Sequence, residues 1–234
     1  MNTSNKMGQD RSLSKIERAK SLDEKAYLCI KKAIMDCTFP PGEFLAELQL
    51  ARDLGISKTP IRKAMARLEQ EGFLVNIPFK GYYVADITVE DIIELYELRE
   101  FLEAPLVRRT ASLFTQAELD EMESIVQAAG EALEQGNYAD YLAVNRKFHH
   151  TFAYKYGNRR ILNVLINLDE HVQRVLSYLR QKGLGHLLGE GADHVAIIAA
   201  IREGDFESAQ RLMRNHLAAF REAIDASGQT FPAV

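Results

Sequence analysis

Two sets of residues in this 234-residue sequence have the types and spacing to do chemistry. The first is basic. Lys58, Thr59, Arg62 and Lys63 stand at the start, or on the polar face, of a segment whose apolar positions are Ile61, Ala64, Met65 and Leu68. Lysine and arginine there can neutralise phosphates or reach guanine edges, Thr59 can bond a phosphate or a base, and a helix N-terminus attracts anions. Lys80 and Gly81 follow at the tip of a turn, where a small residue allows close approach to a sugar-phosphate backbone and Lys80 adds charge. The second set is imidazole. His149 shares an apolar face with Leu142 and Phe152, and Asn145 lies on it one turn earlier; His194 goes with Ile198 and Ile201; His216 lies among Met213, Leu217 and Phe220. Three inward imidazoles from three helices can meet at a divalent metal, although each alone is also the pattern of a hydrogen-bonded core histidine. His150, His171 and His186 have no such placement and read as surface or structural.

The elements that must position these residues are legible from periodicity. Residues 1–20 are polar and aperiodic and read as a flexible tail. Ala26, Ile30, Ala33, Ile34 and Cys37 recur at helical spacing until Pro40, Pro41 and Gly42. A short helix fits Glu47 to Leu54, closed by Gly55. The next helix has Thr59 as its expected cap and Pro60 as its first residue, and Gly72 stops it. The runs Phe73–Ile77 and Tyr82–Ala85, separated by Pro78 to Gly81, predict a β-hairpin. Three helices and a hairpin over 21–86 make a winged helix-turn-helix whose third helix enters a major groove. From 87 to 226 there is almost no strand signal. Helices start plausibly at Thr88 and Thr115, each with an acidic residue three positions on, and Asn137, Asn158 and Asp205 are further caps. Pro105 is expected to kink or break the first of these helices. The reading is a mainly α chain: a winged helix-turn-helix, a bundle of about six helices, and a short tail over 227–234.

Composition narrows the classes. With 47% hydrophobic and 26% charged residues, the chain is neither disordered nor membrane-embedded. No run approaches the ~20 apolar residues of a membrane span, and MNTSNKMGQD is no signal peptide, so a cytoplasmic location without membrane contact is expected. Cys29 and Cys37 fit neither a redox pair nor a zinc knuckle and suit buried, reduced thiols. Residues 1–85 hold 14 Lys and Arg against 10 Asp and Glu, and the remainder 15 against 23. A basic first third on an acidic remainder points to two parts with different partners, the first polyanionic.

The run FPPGEFLAELQLARDLGISKTPIRKAMARLEQEGFL at 39–74 with KGYYVA at 80–85 resembles the GntR family of bacterial transcription regulators. The resemblance implies operator contacts by Lys58, Thr59, Arg62 and Gly81; Lys58 stands where the family usually has Arg, which favours a phosphate over a bidentate guanine contact. ELYELREFLEAPLVRRTA at 94–111, NRKFHHTF at 145–152 and the pair His194 and His216 resemble the family's FadR-type effector domain, FCD. Metal-binding members use an Asp and three His at the positions of Asn145, His149, His194 and His216, so the resemblance implies a divalent metal, zinc or nickel, weakened by the neutral Asn145. Arg99 precedes Glu103 by four residues, the spacing of an ordinary ion pair, but the resemblance implies that it faces a ligand cavity and captures a carboxylate. Asn167 and Arg174, seven apart on a later helix, are placed on the same cavity.

The expected function is therefore a homodimeric, operator-binding regulator, a repressor, controlled by a small organic acid, and not an enzyme. A metal-dependent hydrolase and a regulator whose bundle only dimerises are the alternatives. Against the hydrolase, the sequence has no HExxH, no GxSxG and no acidic general base spaced beside the histidines.

Overall fold

The computed structural model describes residues 21–185 and 192–228; the first tail, most of the second, and His186 lie outside them. Helix α1 (Leu22–Met35) buries Ala26, Tyr27, Ile30 and Ile34, the stripe its periodicity predicts. Strand β1 (Phe44–Leu45) and helix α2 (Glu47–Asp53) follow. Helix α3 (Lys58–Gln70) packs Ile61, Ala64, Met65 and Leu68 inward. Its cap position is Ser57 rather than Thr59, so Pro60 is the third helical residue. That costs nothing, because the first four backbone N–H groups of a helix have no intrahelical partner. Strands β2 (Leu74–Ile77) and β3 (Gly81–Val84) pair with Leu74 opposite Val84 and Ile77 opposite Gly81. Strand β1 adds to β3 on its other edge, giving the antiparallel order β1-β3-β2. Two residues are too few for an alternating pattern, so periodicity had no means of finding β1.

Six described helices form the remainder: α4 (Val89–Thr110), α5 (Gln116–Glu134), α6 (Tyr138–Tyr156), α7 (Arg159–Gln181), α8 (Ala192–Arg202) and α9 (Phe206–Ala226). Thr88 and Thr115 close capping boxes with Asp91 and Glu118, and the side chains of Asn137, Asn158 and Asp205 cap α6, α7 and α9. Helix α4 runs unbroken through Pro105. Among the described residues no helix is long and apolar enough to cross a membrane.

Two apolar cores result, one beneath the winged helix and one in the bundle, and Cys37 at the end of α1 belongs to the second. Helix α7 joins the two parts. Lys31, buried on α1, donates to Tyr27 Oη (2.7 Å), to Glu71 (2.9 Å) and to Glu170 of α7 (2.7 Å). His171 stacks on Phe73 with ring centroids 4.4 Å apart and donates from Nε2 to the Glu71 carbonyl at 2.9 Å. Arg174 donates to the Ala85 carbonyl, and Gln181 to the Asp36 carbonyl at 2.8 Å. The part that carries α3 thus rests on one face of α7.

Candidate DNA interface and histidine site

Lys58, Thr59, Arg62 and Lys63 are all exposed and gather on the first turns of α3, since positions three and four apart share a helix face. Arg62 donates from Nε to Glu47 Oε2 of α2 at 2.6 Å while remaining 64% exposed. Glu47 therefore holds the guanidinium in an outward orientation. Lys80 is exposed beside the wing tip. Gly81 has φ +98°, and a Cβ there would stand 3.0 Å from the Phe44 ring. Besides allowing the close backbone approach expected from the sequence, glycine at this position is required by conformation and packing. Phe79, to which the sequence pattern assigns no role, stands fully exposed at the wing tip with φ 65°. An aromatic inside a turn signal was its only trace.

The second cluster lies in the bundle. His149 on α6, His194 on α8 and His216 on α9 each offer a ring nitrogen within 4.8 Å of the others, and His194 Nε2 is 3.1 Å from His216 Nε2. His149 and His194 are buried and His216 is half-buried. His149 Nδ1 lies 2.6 Å from Glu103 Oε2, and Glu103 Oε1 accepts from Arg99 Nε at 2.7 Å. All three side chains are at most 5% exposed. Burial alone would raise the Glu103 carboxyl, but Arg99 and His149 outweigh it and hold it down at about 2. Burial, with Arg99 and His216 nearby, lowers His149 to about 4 despite Glu103. An ionised carboxylate can only accept, so neutral His149 donates from Nδ1 and presents the Nε2 lone pair. That Nε2 is fully buried and has no hydrogen-bond partner among the described residues. Asp193 Oδ2 lies 3.1 Å from His216 Nδ1 and fixes the second ring in the same sense. Its own carboxyl is lowered, chiefly by that hydrogen bond. Burial together with the neighbouring histidines and Arg99 also keeps His194 neutral. Asn145 is half-buried one turn before His149.

Arg99, expected to wait for a ligand carboxylate, already holds an internal one in Glu103 and sits 5.0 Å from the Tyr96 ring centroid. Asn167 and Arg174 are not brought to this cluster. The face of α7 they share is turned to the winged helix, which leaves Asn167 exposed and Arg174 buried against Ala85. The inward face of α7 supplies Asp169, whose Oδ2 lies 3.9 Å from His150 Nε2. His150 is therefore a buried group facing α7 and not a surface one. Glu103, Asp193 and Asp169 went unrecognised as site residues because their partners lie 46, 23 and 19 positions away, beyond any local pattern.

Comparison with known proteins bears on both clusters. Residues 22–84 match the model of the bacterial regulatory proteins, gntR family, and residues 94–219 match the FCD domain. The HTH-type transcriptional regulator YdhC of Bacillus subtilis is 30% identical over 193 residues, covering 81% of this chain and 85% of the relative. The HTH-type transcriptional repressor RspR of Escherichia coli is 23% identical over 205 residues, covering 87% and 89%. The crystal structure of a GntR regulator from Rhodococcus superposes with a TM-score of 0.74 at 20% identity, covering 88% of this chain and 99% of that one.

Proposed function

Since the chain belongs to the GntR family of bacterial regulatory proteins and carries an FCD domain, it is a DNA-binding transcriptional regulator and not an enzyme, and we propose that it is a homodimeric repressor whose operator affinity follows a ligand bound at the histidine cluster. Lys58, Thr59, Arg62, Lys63, Lys80 and Gly81 form the DNA-reading face. What supports this is the exposure of Lys58, Thr59, Arg62 and Lys63 on the opening turns of α3 and of Lys80 beside the half-buried Gly81 at the wing, with Glu47 holding Arg62 outward. Two copies are required because one small winged module buries too little surface for tight selective binding. Sequencing of oligonucleotides selected by the full chain should return a pseudo-palindrome. Arg62→Ala should then cost about 1–3 kcal/mol and relax one position in each half-site, and selection that enriches no motif refutes the assignment. Affinity should fall steeply with salt, with a log–log slope near −0.9 per phosphate neutralised.

His149, His194 and His216 suit a divalent metal of the zinc or nickel kind, and the carrying observation is the buried, unpartnered Nε2 of His149. Glu103 and Asp193 act as the outer carboxylates that orient metal-binding imidazoles, and they supply the negative charge that a neutral Asn145 cannot. A bound metal would provide a Lewis-acidic point for an anionic ligand. A divalent ion on three neutral imidazoles, with Arg99 positive and Glu103 and Asp193 negative, leaves one net positive charge, which a small organic acid would match. Metal present at 100 times its dissociation constant should stabilise the protein by about 2.7 kcal/mol, and His194→Ala should abolish that gain. Elemental analysis showing no bound metal after loading with zinc, nickel and manganese refutes the site.

The ligand acts on DNA only through its differential affinity for two arrangements of the parts. Helix α7, with Asp169 on its inward face and Glu170, His171 and Arg174 against the winged helix, is the element that connects them. A coupling of about 1–3 kcal/mol would release operator roughly 5- to 150-fold.

A further inference from the structure

The tip of the wing departs from ordinary turn chemistry in full view of solvent. The Lys80 backbone N–H donates to the Ile77 carbonyl at 3.0 Å, closing a tight turn whose central residues are Pro78 and Phe79. Proline in the second place and a positive φ in the third are the marks of a type II turn, and that third place ordinarily takes glycine or asparagine. Here it holds an aromatic residue at φ 65°, a backbone region strained for a bulky side chain. Packing does not offset the strain, because the Phe79 ring is fully exposed and lies outside the core of the winged helix. Glycine at 79 would relax the turn and uncover no buried surface.

The surroundings select what the ring meets. Lys80 follows it, exposed, and Lys58, Arg62 and Lys63 stand exposed on the same small unit. The hairpin is seated on α3: Tyr82 of β3 stands against Glu69, and β2, its partner strand, follows α3 through Gly72. A polyanion held by those cations runs past the tip. The major groove of a duplex, about 12 Å wide, admits α3, and the adjacent minor groove, about 6 Å wide, admits only something as narrow as the tip. Phenylalanine has no polar side-chain atom with which to read a base edge. What it offers is a flat apolar face that can enter between stacked base pairs.

We infer that Phe79 is a wedge that enters the minor groove, unstacks one base step in each half of the operator and bends the duplex toward the major groove. The step it enters is chosen by deformability, so a pyrimidine–purine step, TA or CA, is favoured at a place that no hydrogen bond reads. Phe79 is thus a specificity-determining residue that acts on DNA shape, separate from the phosphate and base contacts of α3.

This inference rests on reading α3 and the wing as the DNA face, and its test separates the two. With the full chain on the duplex it selects, energy transfer between end labels should report a bend of about 20–90°. Fluorescence of 2-aminopurine, placed in turn at each adenine, should rise at the unstacked step of each half-site. Phe79→Gly should melt no lower than wild type, lose that rise and most of the bend, and raise the operator dissociation constant about 5- to 150-fold, the worth of one stacked aromatic. Replacing the entered step by a stiff A-tract should weaken the wild-type complex and leave the Phe79→Gly complex unchanged. Phe79→Lys, which adds charge without a wedge, should leave the duplex as straight as the glycine variant does. A wild-type complex with every step stacked, or a Phe79→Gly complex bent and bound like wild type, overturns the wedge and leaves the operator reading standing. A chain that selects no duplex overturns both.

Discussion

Replacing Glu103 by Gln tests the charge arrangement on which the histidine cluster depends. In the wild type one carboxylate serves two buried donors, Arg99 at 2.7 Å and His149 at 2.6 Å, in a place where no more than 5% of any of the three side chains meets solvent. Glutamine keeps the shape, removes the charge, and brings an amide that can accept from only one of the two. Arg99 is then a buried cation without a counter-ion. Removing one partner of such a pair costs about 3–5 kcal/mol, far more than an exposed ion pair is worth. For a chain of this size that corresponds to a melting temperature lower by roughly 6–20 °C at pH 7 in metal-free protein. The compensating variant Arg99→Met/Glu103→Gln should recover most of the loss, since the Gln carbonyl still accepts the His149 N–H and no buried charge remains unpaired. Metal affinity of Glu103→Gln should also fall roughly 10- to 100-fold, because His149 loses the partner that fixes its tautomer. Melting of Glu103→Gln within about 2 °C of wild type, or a double variant less stable than the single, would refute the reasoning.

Three further outcomes follow from other contacts. Burial against Phe73 lowers His171 from its ordinary 6.5, so below that pH the unfolded chain takes up a proton that the folded chain resists. Stability should therefore fall as pH drops from 6.5, and His171→Phe should reduce the slope by at most about 1.4 kcal/mol per pH unit in urea titrations; an identical slope in the variant removes His171 from the account. Lys31→Met leaves Glu71 and Glu170 facing each other with 22% and 31% side-chain exposure. It should cost about 1–3 kcal/mol and speed hydrogen exchange around residues 85–88 while exchange in α9 stays slow, and uniform acceleration would speak against a local contact. Gly81→Ala should destabilise the winged helix by about 1–3 kcal/mol in chemical denaturation, from its φ of +98° and the approach of Phe44; a neutral result would mean that β1 yields freely.

What the sequence determined by itself is whatever depends on neighbours within a few residues. The inward stripes of α1 and α3, the boxes at Thr88 and Thr115, the caps at Asn137, Asn158 and Asp205, and the basic opening of α3 are all local, and the structure repeats them. Periodicity also turned His149 and His194 inward, since a helix with one apolar face has one way to pack. The tertiary structure alone decided which groups meet. Seven-residue spacing put Asn167 and Arg174 on one face of α7, but only packing settled that this face looks to the winged helix. Arg99 and Glu103 could have been a solvated pair; burial and the approach of His149 from 46 residues away made them the support of the histidine cluster. Helical spacing fixes directions around an axis, and the relative placement of axes comes from complementary surfaces distant in the chain.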